Sequence, residues 1–224
     1  MWVIKLGGSL ARSGQLRSWI EALTGQGGGP SRRPRPALAP DMIIVPGGGP
    51  FANRVREMQT SLGFNDSTAH AMAVLAMEQY GLMLAEFCPA LVPVSSAVAL
   101  LRAIRRRDIP LWMPSRMVTR RDDIPGLWEV TSDSLAAWLA AYLKATCLIL
   151  VKSVDPIQDN SQHSEQPAVS LSELQERGVI DRAFGTFAKG TGVDVHCVGP
   201  ADLAGFVDAL KGGVAPGIKV DLTG

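Results

Sequence analysis

Trp2-Val3-Ile4-Lys5-Leu6-Gly7-Gly8-Ser9 and Met42-Ile43-Ile44-Val45-Pro46-Gly47-Gly48-Gly49-Pro50 carry one arrangement twice, a short and continuously apolar run that ends in consecutive glycines. Apolar runs without alternation predict strands buried on both faces, as in a parallel sheet covered by helices. Glycines at a strand end, followed by a helix, expose backbone amides that can hold phosphate oxygens, and the same glycines would equally serve a plain tight turn. In an open parallel sheet ligands bind outside the carboxyl ends of the strands, so two such turns converge on one crevice. Neither turn is a GxxxxGK[ST] loop and neither supplies GxGxxG.

Outward from these turns, β-type runs recur at Leu91–Val94, 111–113, Cys147–Val151, 193–198 and 218–220, most of them separated by segments with helical i, i+3, i+4 spacing. The expected fold class is α/β, with a mainly parallel central sheet in one domain over residues 1–224. Two loop insertions interrupt it, a Pro- and Gly-rich stretch at 25–40 with Arg32, Arg33 and Arg35, and a polar one at 158–167. Asp66–Phe87 is apolar almost all round, which predicts a helix either buried in the core or shared with a second subunit, with Asp66 and Ser67 as its cap. A homo-oligomer is the expectation.

Composition narrows the function. The 22 basic side chains nearly balance 21 acidic ones, for a net charge of +1, so no global field favours nucleic acid. Cys88, Cys147 and Cys197 are widely spaced without a CxxC pair, which predicts neither a disulfide framework nor a zinc site. The amino-terminal apolar run is too short for a signal peptide, and Lys144 interrupts the most apolar stretch. A cytoplasmic protein without membrane partners is expected.

Two further segments carry candidate chemistry. Thr131-Ser132-Asp133-Ser134 leads into the apolar run from Leu135, where Asp133 either caps a helix or orients the Lys5 ammonium near a triphosphate. Lys152-Ser153-Val154-Asp155-Pro156 follows the run Cys147–Val151, and Lys152 and Asp155 there suit nucleotide phosphate and ribose or base, or an exposed turn. His70, on the apolar helix, reads as a core or interface residue or as an acceptor contact, His163 as solvated and His196 as structural. Arg105-Arg106-Arg107 reads as a solvated helix end.

In order and approximate spacing, Lys5-x-Gly7-Gly8-Ser9, Pro46-Gly47-Gly48-Gly49, Thr131-Ser132-Asp133 and Lys152-x-Val154-Asp155 resemble the amino acid kinase superfamily over nearly the whole chain. Val179-Ile180-Asp181 is similar to its uridylate kinase branch. Trp128-x-Val130-Thr131-Ser132-Asp133-Ser134, Phe51-Ala52-x-x-Val55-Arg56 and the segment from His70 to Gly81 resemble the aminomethylfuran-methyl phosphate kinase group. The resemblance implies a three-layer αβα sandwich and transfer of the γ-phosphoryl group of ATP, with Mg2+, to a small-molecule phosphate monoester. It implies that Lys5 stabilises the transferred group, Asp133 organises that lysine, and Gly7, Gly8 and Ser9 hold ATP phosphates. Lys152 and Asp155 fall on the nucleotide side, and Gly47, Gly48, Gly49, Thr131 and Ser132 on the acceptor side. Pro156 stands where the family has glycine, and the second family lysine near Val179 has no assigned counterpart among Arg182, Lys189 and Lys219. The rival expectations are a uridylate or other nucleoside monophosphate kinase and a non-catalytic protein that stores oxyanions.

Overall fold

The computed structural model describes residues 1–24, 40–119, 121–156 and 168–223. Apart from Pro40, the two expected loop insertions lie outside the described residues, as do Arg32, Arg33, Arg35 and His163. The described strands are β1 (Trp2–Leu6), β2 (Met42–Pro46), β3 (Leu91–Val94), β4 (Ile109–Trp112), β5 (Cys147–Val151), β6 (Ala168–Ser170), β7 (Asp194–Val198) and β8 (Ile218–Asp221). They form one sheet in the order β3-β4-β2-β1-β5-β7-β8-β6, parallel throughout except for the β7–β8 pair. β6, only three residues long and weakly apolar, is the strand that sequence patterning misses.

Helices cover both faces, making the αβα sandwich. The described α-helices are α1 (Leu16–Thr24), α2 (Gly49–Leu62), α3 (Asp66–Phe87), α4 (Ala97–Arg105), α5 (Ser115–Val118), α6 (Ser132–Tyr142), α7 (Leu171–Glu176), α8 (Phe184–Ala188) and α9 (Leu203–Gly212). Strand periodicity divides the core in two. Trp2, Ile4 and Leu6 of β1 and Cys147, Ile149 and Val151 of β5 face Trp19 of α1, Tyr80 of α3 and Phe206 of α9. Val3, Leu148 and Leu150 face the opposite layer, where Leu135, Leu139 and Trp138 of α6 and Phe184 of α8 are buried. Ala136, Ala137 and Ala140 are also fully enclosed, and their small side chains let α6 lie close to the sheet.

The start of α3 refines an expectation. Asn65, rather than Asp66 or Ser67, caps α3, its side chain accepting from the Thr68 amide at 2.8 Å. Three good capping residues stand in a row here, so composition alone does not choose among them. Val179-Ile180-Asp181, likened above to the uridylate kinase branch, lies in the link between α7 and α8, and the helix that follows it begins at Phe184. α3 buries Ala69, Val74, Met77, Tyr80 and Leu84, while Met72, Leu75 and Leu82 on its other side remain 37%, 51% and 58% exposed. Cys88, Cys147 and Cys197 are free and buried, as small hydrophobes.

Candidate active site

From β1 the chain runs to β2 on one side, and later to β5 on the other. The carboxyl ends of these three central strands therefore open at a topological switch point, where an open sheet binds its ligands. The turn after β1 is tied to both neighbours: the Gly7 amide donates to the Val151 carbonyl and the Gly47 amide to the Leu6 carbonyl, each at 2.9 Å. These two amides are committed to the sheet, so of the expected phosphate-holding glycines it is Gly8, Gly48 and Gly49, with Ser9, that line the cavity between the turns.

The two glycine turns touch. A Cβ on Gly8 would lie 2.4 Å from the Gly49 nitrogen, and one on Gly47 would lie 2.4 Å from the Gly8 nitrogen. Gly49 has φ +55° and packs its Cα against the Tyr80 ring, a position closed to a side chain on both counts. Separate turns would suffer separately from added side chains, but contact removes that independence. Gly8→Val is accordingly expected to weaken ATP and acceptor together, each by at least tenfold in calorimetric Kd. Loss of one ligand alone would show that the turns move independently.

Strand parity places the cations. Lys5 follows Val3, and Lys152 follows Leu150, on the α6 side of the sheet. Asp133, in the first turn of α6, meets both: its Oδ1 lies 2.7 Å from Lys5 Nζ and its Oδ2 accepts from Lys152 Nζ at 2.6 Å. Lys5, Asp133 and Lys152 are only 4%, 5% and 7% exposed. Burial by itself would raise the Asp133 pKa, but the Lys152 and Lys5 charges outweigh it and hold the carboxyl at about 2. Burial, reinforced by the Lys152 charge, draws Lys5 below the ordinary lysine range against the attraction of Asp133. Two ammoniums on one carboxylate leave a buried net positive charge, which an anionic ligand would offset.

The start of α6 is braced by a second carboxylate. Asp181 accepts from Thr131 Oγ1 at 2.5 Å, from the Ser134 amide at 3.1 Å and from Ser134 Oγ. Burial, then the Asp133 charge, raises the Asp181 pKa against those hydrogen bonds. Thr131 Oγ1 also caps the helix, accepting from the Asp133 amide at 3.2 Å. Ser153 Oγ donates to Ser9 Oγ at 2.7 Å, joining the turns after β5 and β1.

Three cavities meet at this center. One of about 610 Å³ is lined by Lys5, Asp133, Lys152, Val154 and the segment from Gln175 to Arg182. The next, about 510 Å³, lies between the glycine turns and shares Ser9 and Ser153 with the first. The third, about 90 Å³, shares Gly48, Ala52 and Ser132 with the second and is walled by His70, Met77, Trp128 and Val130.

The structure does not bring Asp155 into these cavities. Its Oδ1 accepts from the Ala201 amide at 3.0 Å, and Gly199 packs directly against it, so it fastens the end of β5 to the turn after β7. Lys219 pairs with Asp194 at 2.6 Å on the surface, away from the crevice, whereas Arg182 lines the largest of these three cavities. Sequence reasoning left Asp181 and Trp128 without roles and treated Lys152 only as a nucleotide contact. Alternation along β5 signals only that Lys152 lies on the face of the sheet that α6 covers.

Amide-lined glycine turns beside buried paired ammoniums, at the carboxyl edge of a parallel sheet, define a small-molecule phosphotransferase. The chain belongs to the amino acid kinase family, whose model matches residues 1–196. It is 24% identical, over 95% of its length and 94% of the relative's, to a [5-(aminomethyl)furan-3-yl]methyl phosphate kinase of Methanocaldococcus jannaschii. Among solved structures, the uridylate kinase of Archaeoglobus fulgidus superposes with TM-score 0.66 at 18% identity, covering 98% of this chain and 99% of that one. An isopentenyl phosphate kinase superposes with TM-score 0.58 at 15% identity, covering 99% and 100%.

Proposed function

We propose that this chain, as one domain, transfers the γ-phosphoryl group of ATP to a small phosphate monoester, giving ADP and a diphosphate. The observation that carries the reading is the buried Lys5–Asp133–Lys152 cluster, which lines a cavity of nucleotide size joined through the space between the glycine turns to a narrow, mostly apolar pocket. An acceptor phosphate oxygen attacks the γ-phosphorus as the bond to the ADP oxygen breaks. That oxygen is already deprotonated at neutral pH, so no general base is needed, and catalysis rests on positioning and charge stabilisation.

Lys5 and Lys152 neutralise charge on the transferred group, and Asp133 keeps both ammoniums in place. Gly8 and Ser9 hold nucleotide phosphates, and Gly48, Gly49 and Ser132 hold the acceptor phosphate. Mg2+ enters with the nucleotide and neutralises phosphate charge, consistent with its preference for substrate phosphates and water. Among the described residues no group of three acidic, histidine or cysteine side chains is placed to hold a metal ion.

The furan phosphate named for the M. jannaschii relative is the leading acceptor, because the third cavity is small and has Trp128 in its wall. An ADP-release screen against that compound, isopentenyl phosphate and UMP tests the reading. Release with the furan phosphate supports it. Release with UMP alone makes the chain a nucleotide kinase, and ATP binding without release for any acceptor indicates storage.

A cytoplasmic homo-oligomer completes the reading, with copies meeting through α3. Met72, Leu75 and Leu82 lie three and seven residues apart on that helix and form one exposed apolar stripe. Light scattering at micromolar concentration should give at least a dimer, and Leu75→Glu with Leu82→Glu should give a monomer that keeps its fold. A monomeric wild type would remove the interface.

A further inference from the structure

The third cavity holds a polar group for which phosphoryl transfer has no use. His70, on α3, is 8% exposed, and its Nε2 has no hydrogen-bond partner among the described residues. With Nε2 unpartnered, the hydrogen bond of the ring to the Val130 backbone is assigned to Nδ1–H, which leaves a lone pair on Nε2. Burial holds this imidazole below the ordinary histidine pKa against that hydrogen bond, which favours the neutral form. A buried acceptor without a donor is destabilising, and such orphans are uncommon unless a ligand completes them.

His70 lines two cavities, and only the third cavity opens toward the glycine turns. The mouth of the cavity is at Gly48 and Ala52, which also line the space between the glycine turns. His70 and Val74 form the opposite wall, since they alone are shared with a further cavity of about 340 Å³ behind them. Between mouth and wall the lining includes Arg56, Met77, Trp128, Val130 and Thr131. The Trp128 ring is fixed on two sides, its Nε1–H donating to Gln59 Oε1 and the Arg56 guanidinium lying 4.6 Å from its centroid.

We infer that His70 is the specificity residue of the acceptor pocket: its Nε2 accepts a hydrogen bond from an N–H or O–H group at the end of the acceptor remote from the phosphate. The body between the two ends is small and flat, seated against Trp128. This rests on the phosphate-monoester reading above and narrows it to acceptors with a donor at the far end. A site built to hydrogen-bond a substrate group rejects an analogue that lacks it far more strongly than a merely apolar pocket does.

Two acceptors of nearly equal shape test the inference: [5-(aminomethyl)furan-3-yl]methyl phosphate and its 5-ethyl analogue, in which a methyl replaces the amine. Wild type should favour the amine by at least about 100-fold in kcat/KM. His70→Leu should reduce that preference to within about threefold, through the KM of the amine acceptor, with the KM for ATP unchanged. His70→Gln, which offers an amide oxygen, should keep part of the preference, and it decides the matter if the leucine variant fails to fold. Equal use of both acceptors by wild type, or an undiminished preference in both variants, overturns the role of His70 while leaving the kinase reading intact. Turnover of neither furan acceptor by wild type overturns this inference, and ADP release with no acceptor in the wider screen overturns the kinase reading as well.

Discussion

Lys5→Ala is expected to lower kcat by about 100- to 1,000-fold, the roughly 3–4 kcal/mol typical of removing one group that stabilises transition-state charge. The protein should stay folded, because Asp133 keeps its 2.6 Å bond to Lys152 when Lys5 is gone. ATP should still bind, held by the turns at Gly8 and Ser9. Lys5→Arg should not restore turnover, since a planar guanidinium does not replace a compact ammonium in a site where Lys5 is only 4% exposed. The check is single-turnover kinetics with thermal melts on both variants. A kcat within about threefold of wild type would remove Lys5 from the reaction.

Asp133→Ala should have the larger effect on stability. It leaves the Lys5 and Lys152 ammoniums buried and facing each other without their shared carboxylate. Removing one partner of a buried ionic group typically costs about 3–5 kcal/mol, and in a chain of this size each of these kcal/mol lowers Tm by about 2–4 °C. A drop of about 10 °C with loss of turnover is the expected result. Adding Lys152→Met to Asp133→Ala should recover much of that drop, whereas Lys152→Met alone should destabilise, a strong non-additivity that calorimetry would read. Independent, additive losses would show that the three side chains do not act as one cluster.

The same cluster sets an acid limit. The Asp133 carboxyl is held at about 2, below its unfolded value of 3.8, so its contribution is full above about pH 4 and is lost as pH falls through about 2. Asp133→Asn should lack that segment of the acid-stability curve.

Much of this architecture is legible in the chain itself. Runs such as Ile43-Ile44-Val45, apolar without alternation, specify strands buried on both faces, and the glycines that follow mark the edge at which ligands bind. Alternation along β1 even fixes the side of the sheet from which Lys5 points, once Trp2, Ile4 and Leu6 are assigned to the other core. What is hidden depends on distances through space. Lys152 lies 19 residues from Asp133, and Asp181 lies 47 from Ser134, so no local pattern announces that these groups meet. The contact between Gly8 and Gly49 is likewise invisible in composition, because two glycine turns read alike whether they touch or stand apart. A carboxylate after a strand, as Asp155 is, suits a nucleotide, and its hydrogen bond to the Ala201 amide is equally absent from any local pattern.

Phosphorus-31 NMR of the wild-type protein with ATP, Mg2+ and [5-(aminomethyl)furan-3-yl]methyl phosphate tests the central claim directly, because it reports where the γ-phosphoryl group goes. Transfer onto the acceptor phosphate predicts that the acceptor singlet gives way to two mutually coupled doublets of a diphosphate, in step with the appearance of ADP. Unchanged acceptor resonances, with the γ-phosphorus remaining in ATP or appearing only as inorganic phosphate, would contradict it.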